Sequence, residues 1–366
     1  MTLLRAALDG LVPYEPGKPE EELQRELGLE RVVKLASNEG PWGPFPAALE
    51  ALERSAPTLN RYPDGGTFHL RNALAERHGV DPANVITAAG ADAIIGHLSL
   101  AALDPGDEVV TAWPSFISYV LDTLKLGAVP RKVPLVDQHY DLDALLAAIG
   151  PRTKLVYIAT PNNPTGTMTT RAQLDGYFER VPEHVLTVLD QAYFEYIEHP
   201  DYPDGVEEYA KNGRRVLVLR TFSKIYGLAG LRVGYGVGPA DVVGGVWKTR
   251  RAFDVSTQAQ VAALASMGEN AELAERRRLT REGRETLART LTEHGLEPAG
   301  PAVANFLFVE VGDDARPLYE ALLRQGVIVR PMAAFGAPGA LRITVGTPDE
   351  NAYFAEALAS VLAATT

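Results

Sequence analysis

The sequence predicts an α/β fold: a mainly parallel central sheet with helices on both faces, joined to a smaller α+β unit. Three observations carry this expectation. Short, near-continuous apolar runs at 185–190, 216–219 and 233–237 have the composition of strands buried on both faces. From about residue 85 to 260 such runs alternate with helical patterns, the order that builds parallel strands through crossover helices. Past about 260 the alternation gives way to one long helical region, followed by closely spaced strands and helices.

Taken in order, residues 1–30 read as an arm: a short helix, the segment Pro13-Tyr14-Glu15-Pro16-Gly17-Lys18-Pro19, and a charged helix over 19–27. A strand at 32–36 leads into Ser37-Asn38-Glu39-Gly40-Pro41-Trp42-Gly43-Pro44, which is dense in turn formers. A helix follows at 46–55. Arg61-Tyr62-Pro63-Asp64-Gly65-Gly66 is a second irregular loop, with a helix over 67–78 after it. Strand 85–87, the turn Gly90-Ala91-Asp92, helix 93–103, strand 108–111 and helix 114–126 come next, then an extended segment at 132–134, helix 142–149, strand 154–159 and helix 171–181. The three apolar strands named above complete the sheet. Helix 256–293 carries Arg276-Arg277-Arg278, which reads as a solvated face. Strand 305–311, helix 315–325, strands 327–330 and 341–345 and helix 348–363 close the chain. The expected division is an arm at 1–30, a large domain at 31–260 whose first part packs with the small one, and a small domain at 261–366.

Composition removes several classes of function. A chain of 366 residues, 46% hydrophobic and 22% charged, can bury a large core. Lys+Arg 35 against Asp+Glu 47 gives a net charge of -12, which argues against a nucleic-acid partner and requires any anionic ligand to meet a local basic pocket. There is no cysteine, so disulfides, thiolate nucleophiles and thiolate-ligated metals are excluded. The seven histidines lack metal-ligand spacing, and no Gly-x-Ser-x-Gly elbow occurs. Gly234-Tyr235-Gly236-Val237-Gly238 reads as a small-residue strand end rather than a dinucleotide fingerprint. The apolar stretch 85–103 is broken by Asp92 and His97, so it reads as a buried helix and not a membrane span. Residues 1–10 carry Arg5 and Asp9 and lack an apolar signal core; the expected location is the cytoplasm.

The chemistry centres on Thr221-Phe222-Ser223-Lys224-Ile225-Tyr226-Gly227, directly after an apolar strand. A lysine held there loses hydration, which disfavours its ammonium form and frees the amine for Schiff-base chemistry. Ser223 and Arg232 offer a hydroxyl and a permanent cationic fork, a pair suited to phosphate. At this stage a lysine that merely caps a strand, with Arg232 paired to a carboxylate, stands as the alternative. In open α/β sheets ligands gather beyond the carboxyl ends of the strands. Three other loops in that position stand out: Gly90-Ala91-Asp92 opening a helix, Pro161-Asn162-Asn163-Pro164-Thr165-Gly166, and Asp190 at the end of an apolar strand with Tyr193 close behind. A carboxylate at the end of a buried strand requires a cationic partner.

Asn163-Pro164-Thr165-Gly166, Asp190-x-x-Tyr193 and Ser223-Lys224 with Arg232, in this order, resemble the fold-type I pyridoxal-phosphate aminotransferases. Within them, Lys34-Leu35-Ala36-Ser37-Asn38-Glu39, Arg61-Tyr62-Pro63, Gly90-Ala91-Asp92, residues 223–234 and Leu341-Arg342-Ile343-Thr344-Val345-Gly346 resemble the histidinol-phosphate branch, over nearly the whole chain. The resemblance implies pyridoxal 5'-phosphate as cofactor, with Lys224 bonding to it and shuttling a proton, Asp190 holding its pyridine nitrogen protonated, and Asn163 and Tyr193 hydrogen-bonding its phenolic oxygen. Phe116 takes the place of the stacking aromatic, where tyrosine is common. The Ala91 and Asp92 amides, Thr221, Ser223 and Arg232 are implied to cradle the phosphate, and Tyr62 to reach it from the second subunit of a homodimer whose active site lies at the subunit interface.

For substrate, the resemblance implies Arg342 and Arg330 as the anion-gripping pair, Tyr14 as the arm residue closing over the substrate phosphate, and Asn38 beside the substrate. Gly40, Trp42 and Ala93 depart from the branch's usual pattern without touching the cofactor chemistry. The implied reaction exchanges the amino group of histidinol phosphate with 2-oxoglutarate in histidine biosynthesis. An aromatic amino-acid aminotransferase and a threonine-phosphate decarboxylase, a lyase sharing the same lysine and arginines, are the open alternatives. No metal is expected.

Overall fold

The computed structural model describes residues 3–11 and 17–364. A 3-10 turn at Ala6–Leu8 and helix α1 (Glu20–Leu27) form the described part of the arm. Strand β1 (Val33–Lys34), α2 (Pro46–Ser55) and α3 (Phe68–His78) follow. Then come β2 (Val85–Ala88), α4 (Ala91–Ala102), β3 (Glu108–Trp113), α5 (Ile117–Lys125), β4 (Val129–Pro134), α6 (Leu142–Ala147), β5 (Thr153–Ala159), α7 (Arg171–Phe178), β6 (Leu186–Asp190), β7 (Val216–Thr221) and β8 (Gly234–Val237). The remainder comprises α8 (Ala240–Thr249), α9 (Thr257–Ser266), α10 (Asn270–Glu293), β9 (Phe306–Glu310), α11 (Arg316–Arg324), β10 (Val327–Ile328), β11 (Arg330–Pro331), β12 (Ala340–Thr344) and α12 (Pro348–Ala363).

The central sheet has 7 strands in the order β2-β8-β7-β6-β5-β3-β4. β3 to β7 run parallel, as the alternating pattern predicts, whereas β8 is antiparallel to both its neighbours. The reason lies in the connection. The chain between β7 and β8 contains only a 3-10 turn at Ala229–Leu231, and without a crossover helix a strand can only return antiparallel. Register then aligns the strand ends: Ala159 opposes Asp190, Asp190 opposes Leu219, and Thr221 opposes Gly234, which also opposes Ala88. The loops that follow β5, β6 and β7 therefore emerge side by side.

One core surrounds this sheet, with Val156, Ile158, Val188, Leu189, Leu217 and Leu219 fully buried in it. A second gathers Leu287, Leu291, Leu307, Val309, Ile343, Phe354 and Leu358 around the antiparallel sheet β11-β12-β9. Val33 and Leu35, early in the chain, belong to this second core because β1 pairs parallel with β10. Helix starts follow local chemistry: Thr170 before α7 and Thr347 before α12 each form a reciprocal capping box, with Gln173 and Glu350.

Several elements differ from the sequence reading. The helix expected over 114–126 begins only at Ile117, because the chain from Pro114 arrives extended at Phe116 (φ -65°, ψ 124°). The long helix expected over 256–293 is two, α9 and α10, separated around Gly268. The extended stretch at 132–134 is part of a longer edge strand, β4, where Pro130 and Pro134 are tolerated because the edge leaves ladder positions open. The strand expected over 327–330 splits between two sheets. Arg276-Arg277-Arg278 is not a solvated face. Successive helical residues turn by about 100°, so one run visits three environments: Arg276 is buried, Arg277 half-buried, and Arg278 exposed between Glu275 and Glu282.

Candidate active site

At the carboxyl ends of β5, β6 and β7 lies a cavity of about 140 Å³, lined by Ala91, Asp92, Phe116, Tyr119, Asn163, Asp190, Tyr193, Thr221, Ser223, Lys224 and Arg232. A second cavity, about 430 Å³, opens beside it; it shares Lys224, Asn163, Tyr193 and Arg232 and adds Asn38, Arg330, Phe335 and Arg342. Residues far apart in the chain, from Asn38 to Arg342, thus converge.

Lys224 sits where β7 ends. The loop after it is closed by Gly227 N–H to Lys224 O at 3.0 Å and Leu228 N–H to Phe222 O at 3.2 Å. Burial, with the Arg342 and Arg232 charges, lowers the Lys224 pKa to about 8, against opposing pulls from Glu39 and Asp190. The free amine is therefore reached at mildly alkaline pH, well below the range of an exposed lysine.

Asp190 ends β6 and is shifted the other way. Burial raises its pKa, while the Tyr119 hydroxyl, donating to Oδ2 at 2.6 Å, and the Ala192 amide, donating to Oδ1 at 3.0 Å, pull it down. A carboxyl so placed fits a cationic ring nitrogen, which would supply the missing charge partner. Tyr119 is held by stacking on Tyr157 at 4.3 Å and by an edge contact with Phe116 at 5.6 Å.

An anion cup forms at the start of α4. Gly90 has φ +94°, and a Cβ there would stand 2.6 Å from Arg232 Nη2; a Cβ on Gly234 would stand 2.4 Å from the Ala91 amide nitrogen. Both glycines let backbone and guanidinium close to a spacing that side chains would block. Arg232 Nη1 donates to Ser223 Oγ at 3.2 Å, and the Ser223 amide donates to Thr221 Oγ1 at 3.1 Å. Free amides at a helix start, two hydroxyls and a guanidinium fit a phosphate. The Ala89 amide donates to Asp254 Oδ2 at 2.9 Å, fixing the loop from behind.

Tyr193 is buried, which moves its hydroxyl pKa up to about 12. That hydroxyl accepts from Asn38 Nδ2 at 2.9 Å, leaving its own proton to donate into the cavity. Asn38 itself has φ 54° and is pinned by Thr344 Oγ1 and by Asn305 Nδ2. Arg342 donates to Asn163 Oδ1 at 2.5 Å and to Ala36 O at 2.7 Å. Arg330 faces Arg342 directly across the β11/β12 ladder and lies 5.9 Å from the Phe335 ring centroid. One expected residue does not join these cavities: Tyr62, 82% exposed, stacks on Phe253 at 4.7 Å. Tyr14 lies outside the described residues. Sequence reading missed Tyr119, although its position one turn beyond Phe116 on a helix facing the sheet was a usable signal.

Residues 30–358 match the family model for aminotransferases of class I and II, and the chain belongs to that family. Its relatives narrow the group. Histidinol-phosphate aminotransferase of Moorella thermoacetica is 44% identical over 360 residues, covering 98% of this chain and 93% of the relative. Histidinol-phosphate aminotransferase 2 of Pseudomonas fluorescens is 45% identical over 365 residues, covering 99% of this chain and 98% of the relative. Among solved structures, histidinol-phosphate aminotransferase from Sinorhizobium meliloti in complex with pyridoxal-5'-phosphate superposes with a TM-score of 0.89 at 29% identity, covering 100% of this chain and 99% of the other. A Thermus thermophilus aspartate aminotransferase mutant, at 24% identity, shares the fold with a TM-score of 0.85 over 99% of this chain and 100% of the other.

Proposed function

We propose that this protein transfers the amino group of histidinol phosphate to 2-oxoglutarate, giving imidazole acetol phosphate and glutamate, with pyridoxal 5'-phosphate as cofactor. The observation that carries the reading is the adjacent pair Arg330 and Arg342 at the mouth of a cavity that holds a desolvated lysine. One cationic mouth suits both the phosphate of one substrate and the carboxylate of the other. The full-length relatives, 41% to 45% identical, favour it over the aromatic amino-acid and lyase alternatives.

The bound cofactor supplies an aromatic electron sink for the substrate α-carbon. The chain's own residues do the rest. Lys224 moves the proton between the substrate α-carbon and the cofactor C4′, a task matched to an amine whose pKa lies near 8. Asp190 holds the ring nitrogen protonated, and the Tyr119 hydroxyl, donating to Asp190 Oδ2, favours the ionised form of that carboxyl against burial. Tyr193 and Asn163 donate to the phenolic oxygen, and Phe116 covers the ring face. The Ala91 and Asp92 amides, Thr221, Ser223 and Arg232 hold the phosphate. Asn38 orients Tyr193, and Tyr14 closes over the substrate phosphate.

The proposal includes a homodimer in which Tyr62 enters the partner's site. Support comes from its exposure beside other exposed apolar side chains, Leu59, Phe68 and Phe253. The proposed division at 30 and 260 follows the two cores only in outline: Val33 and Leu35 pack with the small unit, and Ala262, Ala263 and Leu273 with the large one. No helix among the described residues is long and apolar enough to cross a membrane; a cytoplasmic location is part of the proposal, tested by fractionation.

The experiment is the visible spectrum of the purified protein before and after histidinol phosphate is added without any oxo acid. Loss of the cofactor's yellow band supports the reading. A response to phenylalanine or glutamate alone refutes the substrate, and carbon dioxide release from threonine phosphate without an oxo acid points to the lyase.

A further inference from the structure

Helix α10 belongs to both cores at once. Leu273, near its start, packs in the large core, while Leu287 and Leu291 pack in the small one. Its middle is locked to the small unit: a Cβ on Gly283 would stand 2.6 Å from Val345 Cγ1, and Arg284 Nη1 donates to Ala304 O at 2.9 Å. Its first half reaches the two catalytic loops instead. Arg276 Nη1 donates to Ile225 O at 3.0 Å, the carbonyl next to Lys224, with its guanidinium 4.2 Å over the Phe45 ring. Arg277 Nε donates to Glu195 O at 2.8 Å, in the turn that begins at Tyr193. The same loop is tight from the other side, since a Cβ on Gly227 would stand 2.5 Å from Gly43 O and 3.0 Å from Arg276 Nη1.

Guanidinium donors on main-chain carbonyls fix backbone position, most firmly where they are buried, as Arg276 is, because losing either partner there leaves a desolvated polar group. We propose that Arg276 and Arg277 are positioning residues: from a helix shared by both cores, they hold the Lys224 and Tyr193 loops in catalytic register. Arg278, next in sequence, pairs among the described residues with Glu275 and Glu282 on the surface and supplies an internal control. The inference rests on the reading of Lys224 as the reactive amine.

The test uses the full-length holoenzyme with Arg276→Met, Arg277→Met and Arg278→Met. Amide hydrogen exchange is read over 222–228 and 193–197, and kcat and KM are measured for both substrates. Arg276→Met is expected to raise exchange only in the first segment, Arg277→Met only in the second, each lowering kcat by roughly tenfold or more with KM nearly unchanged, since displacing a reacting group by about 1 Å costs on that order or more. Arg278→Met is expected to match the parent. A parental kcat in the first two variants, or an equal loss in Arg278→Met, overturns the inference. If Arg276→Met fails to fold, the half-exposed Arg277 decides the matter alone. Borohydride reduction of the parent holoenzyme followed by peptide mapping separates the two readings: label on a lysine other than Lys224 refutes the site assignment itself, whatever the arginine variants do.

Discussion

Tyr119→Phe removes one oxygen and leaves the ring in place, stacked on Tyr157 and edge-on to Phe116. The lost group is the donor to Asp190 Oδ2 at 2.6 Å. A hydrogen bond to a charged group contributes about 1.5–3 kcal/mol, and one pKa unit is 1.36 kcal/mol. Asp190, already raised by burial, therefore moves further up. Its folded-state pKa lies above its unfolded value, so its ionisation lowers stability as pH rises through the folded pKa. Without the donor that loss deepens at neutral pH, and it closes below the folded pKa, where both forms carry a neutral acid. Denaturant unfolding of the cofactor-free full chain should show Tyr119→Phe less stable by about 1.5–3 kcal/mol near neutrality, with the gap shrinking on acidification. A gap below about 0.5 kcal/mol, or one independent of pH, would refute the role given to Tyr119.

Lys224→Ala should keep the cofactor in its phosphate cup yet lose turnover by several orders of magnitude; near-parental turnover would mean a different lysine acts. Because the Lys224 pKa is lowered to about 8, capture of pyridoxal phosphate by the cofactor-free chain should rise with pH and level off above about 8, whereas a rise continuing toward 10.5 would contradict burial of this amine. Gly234→Ala drives a Cβ into the Ala91 amide and should weaken cofactor binding by at least about tenfold, measured by equilibrium dialysis; unchanged affinity would show that the cup tolerates widening. Arg342→Gln should raise KM for both substrates by roughly tenfold to a hundredfold, and a rise for only one would assign the two anions to separate arginines.

The local code was largely legible in the sequence. Apolar strands such as 216–219 announce themselves because a strand buried on both faces has no polar side to show. Lys224, Asp190, Asn163, Ser223 and Arg232 were legible because each stands at the end of such a strand or in the loop after it, where ligands gather, and the structure brings all five to one cavity. The arginine run was misread because its composition looks the same whether the helix meets solvent or another core; only the rotation of α10 against the loops after β6 and β7 buries Arg276 and leaves Arg278 in water.

Sequence by itself determined most of the strands and helices, and which amine, acid and guanidinium side chains stand near the strand ends, because propensity, periodicity and residue type are properties of short stretches. Tertiary structure alone decided that β8 turns back antiparallel, that Tyr119 reaches Asp190, that β11 and β12 set Arg330 opposite Arg342, and that Lys224 loses enough water to bring its pKa to about 8. Each of these depends on groups far apart in the chain, and register, burial and electrostatic fields have no value until the chain has closed on itself.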